Sequence, residues 1–258
     1  MILKGTDELR DLDTWALLAG PKRRIHWKDG RSAKESARTW LQASPDLPIE
    51  IREAVYSHRD FSELIEWVAE PEALVRFDSF RREPANVDVL VHGKDAHGSV
   101  VIAIEAKADE SFGGTVGQTL ERAQSRQAAN PRSKGILRLQ RLGQALFGLA
   151  PNQIKQLSLL RYQLMTVSAA ALAEAERREA SRALVVVHEF ITSQTDDRRH
   201  SMNALDLNSF LAAIGAEITE IKSGQLTGPI SVPGPPIIST PIGLYFGKAC
   251  VNLRSGDA

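Results

Sequence analysis

The sequence lacks several features that would restrict the protein to a familiar class. Cys250 is the only cysteine among 258 residues, so the chain can form no internal disulfide and no cysteine-based zinc site. It contains no run of about 18 apolar residues, and we therefore expect no transmembrane helix and no membrane partner. The first residues are too acidic and too poor in apolar side chains for a signal peptide. A cytoplasmic location is the simplest expectation.

Common catalytic motifs are missing as well. The six histidines show no H-E-x-x-H spacing, and the G-x-S-x-G of serine hydrolases does not occur. The glycines at 113, 114 and 117 lie between a predicted strand and a predicted helix, where phosphate-binding loops are found. They lack both the G-x-G-x-x-G spacing and the Gly-Lys-Ser/Thr of nucleotide-binding loops. We interpret them as a turn and keep nucleotide binding as an alternative class.

The charge is balanced overall but unevenly distributed. The chain has 32 basic and 32 acidic residues. Between positions 122 and 173, however, eight residues are basic and none is acidic. An acid-free stretch of this length favours a surface that meets a polyanion, although solvated helices paired with acids from elsewhere would give the same pattern. The basic residues of this stretch are Arg122, Arg126, Arg132, Lys134, Arg138, Arg141, Lys155 and Arg161.

The order of predicted elements indicates an α/β protein with a mixed central β-sheet flanked by helices. We expect one domain over residues 1–258, with a core at about 32–190 and a C-terminal extension at about 200–258. The continuous apolar run at 183–190 is typical of a strand buried on both faces. Apolar spacing predicts the helices, which fall at 8–19, 32–41, 61–69, 118–127, 136–149, 153–178 and 204–214.

The most informative segment is a predicted β-hairpin made of residues 86–92 and 99–107. Asp88 lies in its first strand, and Glu105 and Lys107 lie at the end of its second strand. Residues two apart in a strand share a face, so Glu105 and Lys107 should lie side by side. Charges at the end of an apolar strand are costly to bury without compensation. A divalent metal ion facing Asp88 and Glu105 would provide it; a surface ion pair at a sheet edge is the alternative.

Asp88 followed by Glu105-Ala106-Lys107 resembles the motif of the PD-(D/E)XK nuclease superfamily. The residue before Asp88 is Val87 rather than the proline of the family's name. The chain also looks like an uncharacterised bacterial family with this signature. The segments that carry this second resemblance are 32–35, 104–113 and 160–164.

The resemblance implies a restriction-endonuclease-like core and a metal-dependent nuclease, a candidate endonuclease that uses Mg²⁺ or Mn²⁺. Asp88, Glu105 and the Ala106 carbonyl would be the metal ligands. Lys107 would orient the attacking water, and Glu35, an acid on the preceding helix, would complete a second metal position. These roles make Asp88, Glu105, Lys107 and Glu35 the expected catalytic residues.

The implied partner is nucleic acid, with DNA favoured over RNA, and a homodimer is compatible with cutting two strands. A catalytically inactive protein of the same fold, which binds nucleic acid or another protein, remains the alternative. The residues expected to contact the phosphate backbone are Arg122, Arg126, Arg132, Lys134, Arg138, Arg141, Arg161 and Gln163.

Overall fold

The computed structural model describes residues 1–21, 24–80 and 84–254. Short 3₁₀ segments lie at Arg24–His26 and Pro151–Leu157. The α-helices are α1 (Leu12–Ala19), α2 (Ser32–Ala43), α3 (Ile49–Tyr56), α4 (Val116–Ala129), α5 (Gly135–Phe147), α6 (Tyr162–Arg177) and α7 (Asp197–Ile214). The β-strands are β1 (Leu3–Lys4), β2 (Asp7–Glu8), β3 (Glu66–Val75), β4 (Ala85–Asp95), β5 (Gly98–Lys107), β6 (Arg182–Ile191), β7 (Gln225–Ile230) and β8 (Gly243–Asn252).

Within the described residues, six strands form the main sheet in the order β3-β4-β5-β6-β8-β7. The pairs β3–β4, β4–β5 and β7–β8 are antiparallel, whereas β5–β6 and β6–β8 are parallel. The parallel pairs need long crossover connections, which α4 to α6 and α7 supply. This mixed, helix-flanked sheet confirms the predicted α/β fold class.

Helices cover both faces of the sheet because alternate strand residues point to opposite sides. On the face here called the α6 face, the core includes residues of α4, α5, α6 and α7. The opposite face packs against α1, α2 and α3. Along β5, Ala103 belongs to the α6 face and Ile104 to the other. Glu105 and Lys107 continue the row of Ala103, so the fold carries both charges to the α6 face.

Two predicted helices differ from the observed structure. The helix predicted at 61–69 is wrong, because β3 begins at Glu66 and the Ile65 amide already donates to the Lys94 carbonyl of β4 at 2.8 Å. The segment has helical apolar spacing, but its β-branched side chains also suit a strand, and pairing with β4 decides the outcome. The long helix predicted at 153–178 is interrupted, and its regular part begins at Tyr162. No described helix has the length and apolar character needed to cross a membrane.

The predicted C-terminal extension contributes directly to the main sheet. Its strand β8 lies between β6 and β7 and pairs with β6 over the full length of both strands. The side chains of Leu244 and Phe246 in β8 are fully buried in the core of the α6 face. Residues 255–258 of the predicted extension lie outside the described residues.

Candidate active site

Asp88 lies where β4 and β5 separate. The two strands pair as far as Val89 and Ile104. One residue further along, the Asp88 Oδ2 atom accepts a hydrogen bond from the Ala106 amide at 2.7 Å. The side chain takes the place of a backbone carbonyl in the ladder, and this fixes the carboxylate at the end of β5.

Glu105 and Lys107 form a buried ion pair beside Asp88. The Lys107 Nζ atom donates to the Glu105 carboxylate and, at 3.2 Å, to the Ala106 carbonyl. The Gln163 side-chain amide of α6 donates to the same Glu105 oxygen. Lys107 also lies 5.3 Å from the centre of the Phe112 ring, a cation–π distance. The exposed fractions of Glu105 and Lys107 are 1% and 3%, so these contacts enclose both groups.

The charges of the site are strongly coupled. Burial raises the pKa of Glu105 to about 8, against the opposing effect of the Lys107 ammonium. Burial also raises the pKa of Asp88, again against Lys107. Burial alone would lower the pKa of Lys107, but the surrounding carboxylates outweigh it and raise that pKa. Two carboxylates thus share one ammonium, and the site favours an additional positive charge or a bound proton.

One atom supports a cation at this position. The Glu105 Oε2 atom is buried and has no hydrogen-bond donor among the described residues. The charge of the nearby Asp88 carboxylate also raises the pKa of Glu105. Without a cation, the two groups need a shared proton. Carboxylate oxygens are the ligands that Mg²⁺ and Mn²⁺ prefer, so this donor set fits such an ion.

The protein ligand set is small. Within residues 1–21, 24–80 and 84–254, no three or more His, Cys, Asp and Glu side chains are arranged to hold a metal ion. The Ala106 carbonyl, predicted as a third ligand, is already engaged by Lys107. Mg²⁺ commonly binds through one or two carboxylates and keeps several waters. Asp88 and Glu105 therefore suffice only for an ion that stays largely hydrated.

The loop after β5 is fastened to the start of α2. The Ser32 hydroxyl donates to the Glu110 carboxylate, and the Arg31 guanidinium lies 2.9 Å from Asp109. Glu110 is a further acid whose charge acts on both carboxylates of the site. Burial and the neighbouring Glu110 raise the pKa of Asp109. These contacts hold the loop that carries Phe112 over Lys107.

Glu35 has a different environment from the one predicted. Its Oε1 atom accepts a hydrogen bond from the Gly30 amide at 2.6 Å, and its Oε2 atom accepts one from the Arg38 guanidinium at 2.5 Å. These bonds reach neither Asp88 nor Glu105. The contacts stabilise the turn before α2, and they give the predicted second metal position no geometric support.

A cleft of about 510 Å³ lies against this site on the α6 face. Gln163 and Phe112 belong both to its wall and to the contacts of Glu105 and Lys107. The cleft and the carboxylate site therefore share these two side chains as neighbours. Its lining comprises Phe112, Gly113, Gly114, Thr119, Arg122, Ala123, Arg126, Gly135, Arg138, Tyr162 and Gln163.

Residues 8–252 match a family defined by a domain of unknown function, DUF6946. The protein belongs to this family. No match was found among curated proteins or among solved structures. The family assignment spans the main sheet, the carboxylate site and the cleft, but it brings no activity with it.

In this DUF6946 protein, two of the predicted phosphate-binding arginines have structural partners. Arg138 is buried, lies 3.1 Å from the Asp78 carboxylate and stacks over the Phe77 ring at 4.5 Å. Arg161 pairs with Asp206 of α7 at 2.8 Å and donates to a backbone carbonyl of the loop after β5. For these two residues, the acid-free stretch is balanced by acids from other parts of the chain.

The other basic residues divide by position. Arg122 and Arg126 of α4 are exposed and line the cleft. Arg132 and Lys134 are exposed in the turn between α4 and α5, outside the lining. Arg141 is half-buried and lies over the Phe80 ring at 4.8 Å. Arg122 and Arg126 are thus the members of the predicted set that combine exposure with a place beside the site.

Sequence reasoning missed a second charged group on the α6 face. Glu189 of β6 is the register partner of Lys107 and is 1% exposed. Its carboxylate lies 2.7 Å from His200 and 3.3 Å from Lys248. The strand-end position of Glu189 was the available signal, but the register that places it beside β5 is not readable from sequence.

Proposed function

We propose that the protein is a metal-dependent nuclease that hydrolyses phosphodiester bonds of nucleic acid. The observation that carries this proposal is the meeting of the Asp88 and Glu105 carboxylates beside the Lys107 ammonium. The three groups are held at the ends of neighbouring strands by backbone and side-chain contacts. Burying three ionisable groups together is unfavourable for folding, and such clusters are typical of sites where catalysis requires them.

Asp88 and Glu105 would hold a Mg²⁺ or Mn²⁺ ion. When bound, the ion would lower the pKa of a water ligand and polarise the phosphate. Gln163 and Lys107 both donate to the Oε1 atom of Glu105, whereas Oε2 has no donor among the described residues and would bind the ion. The Ala106 amide fixes one oxygen of Asp88 in the same way.

Lys107 would orient the attacking water and neutralise charge that develops on the phosphate. A lysine ammonium has three N–H donors. Two of them point to Glu105 and Ala106, and the third would donate to a water or a phosphate oxygen that reaches the site. Its raised pKa keeps the group protonated at neutral pH, which suits charge stabilisation better than proton abstraction.

The burial of the site favours a second candidate function. Glu105 and Lys107 are almost fully enclosed, and Asp88 is the only half-exposed member of the three. A substrate must therefore approach from the Asp88 side or displace Gln163 and Phe112. A protein that binds nucleic acid or a partner protein through the cleft, without cleavage, would need no such access.

Cleavage assays can separate the two functions. Wild-type protein would be incubated with Mg²⁺ or Mn²⁺ and labelled single- and double-stranded DNA and RNA, alongside Lys107→Ala. The matched control is Lys94→Ala, which removes an exposed lysine at the other end of the same hairpin. We expect Lys107→Ala to lose cleavage while it retains nucleic-acid binding.

Calorimetric titration of Mn²⁺ into wild-type protein and Asp88→Ala supplies a readout that needs no substrate. Binding that disappears in the variant would support the metal site. Unchanged cleavage by Lys107→Ala would contradict the role given to that lysine. Nucleic-acid binding by the wild type without metal binding or cleavage would favour the non-catalytic alternative.

A further inference from the structure

The size of the cleft restricts what can enter it. Its volume of about 510 Å³ is that of a pocket for a small ligand, within the usual range of about 300–1,000 Å³. A DNA duplex carries two backbones separated by grooves about 12 and 6 Å wide. The cleft is walled by α4, the start of α5 and the start of α6. A volume of about 510 Å³ suits a nucleotide of one strand rather than a segment of duplex with both of its backbones.

The chemistry of the lining suits a phosphate and a base. Among its residues, Arg122 and Arg126 are exposed and basic, the buried Arg138 is paired with Asp78, and none is acidic. Arg122 and Arg126 lie one turn apart on α4, so their side chains share a face. The N-terminal ends of α5 and α6 add the positive end of two helix dipoles. Tyr162, which is half-buried and packs partly against the core of the α6 face, contributes an aromatic ring to the lining. Positive charge combined with aromatic side chains is typical of single-strand binding.

The burial of the carboxylate site also favours a single strand over a duplex. Glu105 and Lys107 are enclosed beneath Gln163 and Phe112, which form part of the cleft wall. A phosphate on the outside of a duplex would stay at the protein surface. A strand whose backbone enters the cleft would bring its phosphodiester next to Gln163, the side chain that donates to Glu105.

We propose that the cleft binds an unpaired strand of nucleic acid and that single-stranded nucleic acid is the substrate class of this site. This inference rests on the proposed nuclease function. A single strand needs only one cut, so the second active site that a homodimer would provide is not required.

Binding of the whole chain to labelled oligonucleotides tests the inference directly. The probes are a fluorescein-labelled single-stranded DNA of mixed sequence and the same strand annealed to its complement, both measured by anisotropy without divalent metal. We expect the single strand to bind at least about tenfold more tightly than the duplex. Equal binding, or tighter binding of the duplex, would overturn the inference.

Variants in the lining assign the binding to the cleft. Tyr162→Leu, which keeps apolar packing, should weaken single-strand binding about tenfold, and Tyr162→Phe should retain it because the ring persists. Arg122→Ala combined with Arg126→Ala should lower the slope of log affinity against log salt by about 1.4, the value for two phosphates of a single strand. Lys155→Ala, an exposed lysine of the same acid-free stretch outside the lining, is the matched control. Unchanged binding in both the Tyr162→Leu and the double arginine variants would overturn the inference.

The two proposals fail in different ways. Cleavage of duplex in preference to single strand would overturn the inference and leave the nuclease function standing. The protein could instead bind single strands in a way that responds to the variants, yet show no Mn²⁺ binding and no cleavage. That result would support the cleft as a single-strand binding site. It would overturn the nuclease function and, with it, the role of single strands as substrate.

Discussion

The Asp88 carboxylate and the Ala106 amide are joined by a hydrogen bond of 2.7 Å at the point where β4 and β5 separate. One side chain therefore has two roles. Its oxygen replaces a backbone acceptor of the sheet, and its negative charge faces Glu105. Substitutions of Asp88 can distinguish these roles, because one of them depends on an oxygen and the other on charge.

Asp88→Asn keeps an oxygen that can accept the Ala106 N–H but removes the charge. We expect the free energy of unfolding, measured by urea denaturation with a chelator present, to change by less than about 0.5 kcal/mol. Asp88→Ala leaves the amide without its acceptor and should lose about 1–3 kcal/mol. Both variants should lose at least about 100-fold in metal-dependent cleavage. Wild-type cleavage by Asp88→Asn would contradict its role as a metal ligand.

Glu105→Gln removes one of two carboxylates that lie together. We expect the metal-free variant to have a free energy of unfolding about 1 kcal/mol higher than that of the wild type. The reason is that the substitution removes a buried carboxylate that the metal-free protein must accommodate, and functional sites often reduce stability in this way. Free Mn²⁺ at about 100 times its Kd should stabilise the wild type by about 2.7 kcal/mol and leave the variant unchanged. Thermal unfolding with and without Mn²⁺ measures both effects. The exposed Glu121→Gln should respond like the wild type; a response of Glu105→Gln equal to that control would count against the metal site.

A third prediction of stability concerns the buried pair of Asp95 and Arg182. The two groups form paired hydrogen bonds of 2.9 and 2.6 Å at the far end of the sheet from the carboxylate site. Asp95→Asn leaves the buried Arg182 without its counter-charge and should cost about 3 kcal/mol of unfolding free energy. The double variant with Arg182→Met should recover part of this loss. A double variant that is less stable than Asp95→Asn would contradict the explanation.

The same pair predicts a pH dependence. Burial by itself would raise the pKa of Asp95, but Arg182 and the amides of Ser62 and His97 outweigh burial and lower it. The pair therefore contributes stability above the unfolded-state pKa of about 3.9, and this contribution is lost as the pH falls through the folded-state value. Urea denaturation at a series of acidic pH values should show a shallower decline for Asp95→Asn than for the wild type. Parallel declines would show that other groups dominate acid unfolding.

Substitutions of Arg138 and Arg126, which line the same cleft, should have different effects: the first on stability and the second on nucleic-acid binding. Arg138→Ala leaves the buried Asp78 carboxylate without an ion pair and removes the stacking on Phe77, so it should cost roughly 3 kcal/mol of stability. Arg126→Ala should leave stability within about 0.5 kcal/mol and reduce the salt dependence of nucleic-acid binding by about one phosphate. Denaturation curves and anisotropy on both variants measure the contrast. Equal stability of the two variants would refute it.

The part of the fold that sequence predicted is the part encoded locally. The hairpin predicted at 86–92 and 99–107 corresponds to β4 and β5, because alternating apolar residues and a polar turn are visible in short windows. The same period places Glu105 and Lys107 together, as the structure shows. The helix prediction for segment 61–69 was wrong because the local pattern is compatible with both helix and strand. Only pairing with β4 selects the strand.

The environment of individual charges was not predictable in the same way. The sequence could not show whether Arg138 and Arg161 bind a polyanion or pair with acids, since their partners Asp78 and Asp206 come from distant segments. Glu35 was predicted to complete a second metal position, but its hydrogen bond to the Gly30 amide depends on the path of the preceding loop. These are tertiary contacts, and counting the charged residues in an acid-free stretch of sequence cannot reveal them.

The internal position of β8, between β6 and the edge strand β7, has a consequence for the integrity of the chain. A truncation after α7 would remove the strand that covers one side of β6. It would leave unpaired the backbone groups that the apolar run Ala183–Val187 directs towards β8. Exposed strands of this kind recruit other chains and lead to aggregation. A fragment that ends near residue 215 should therefore be insoluble when produced alone, even though it contains every residue of the carboxylate site.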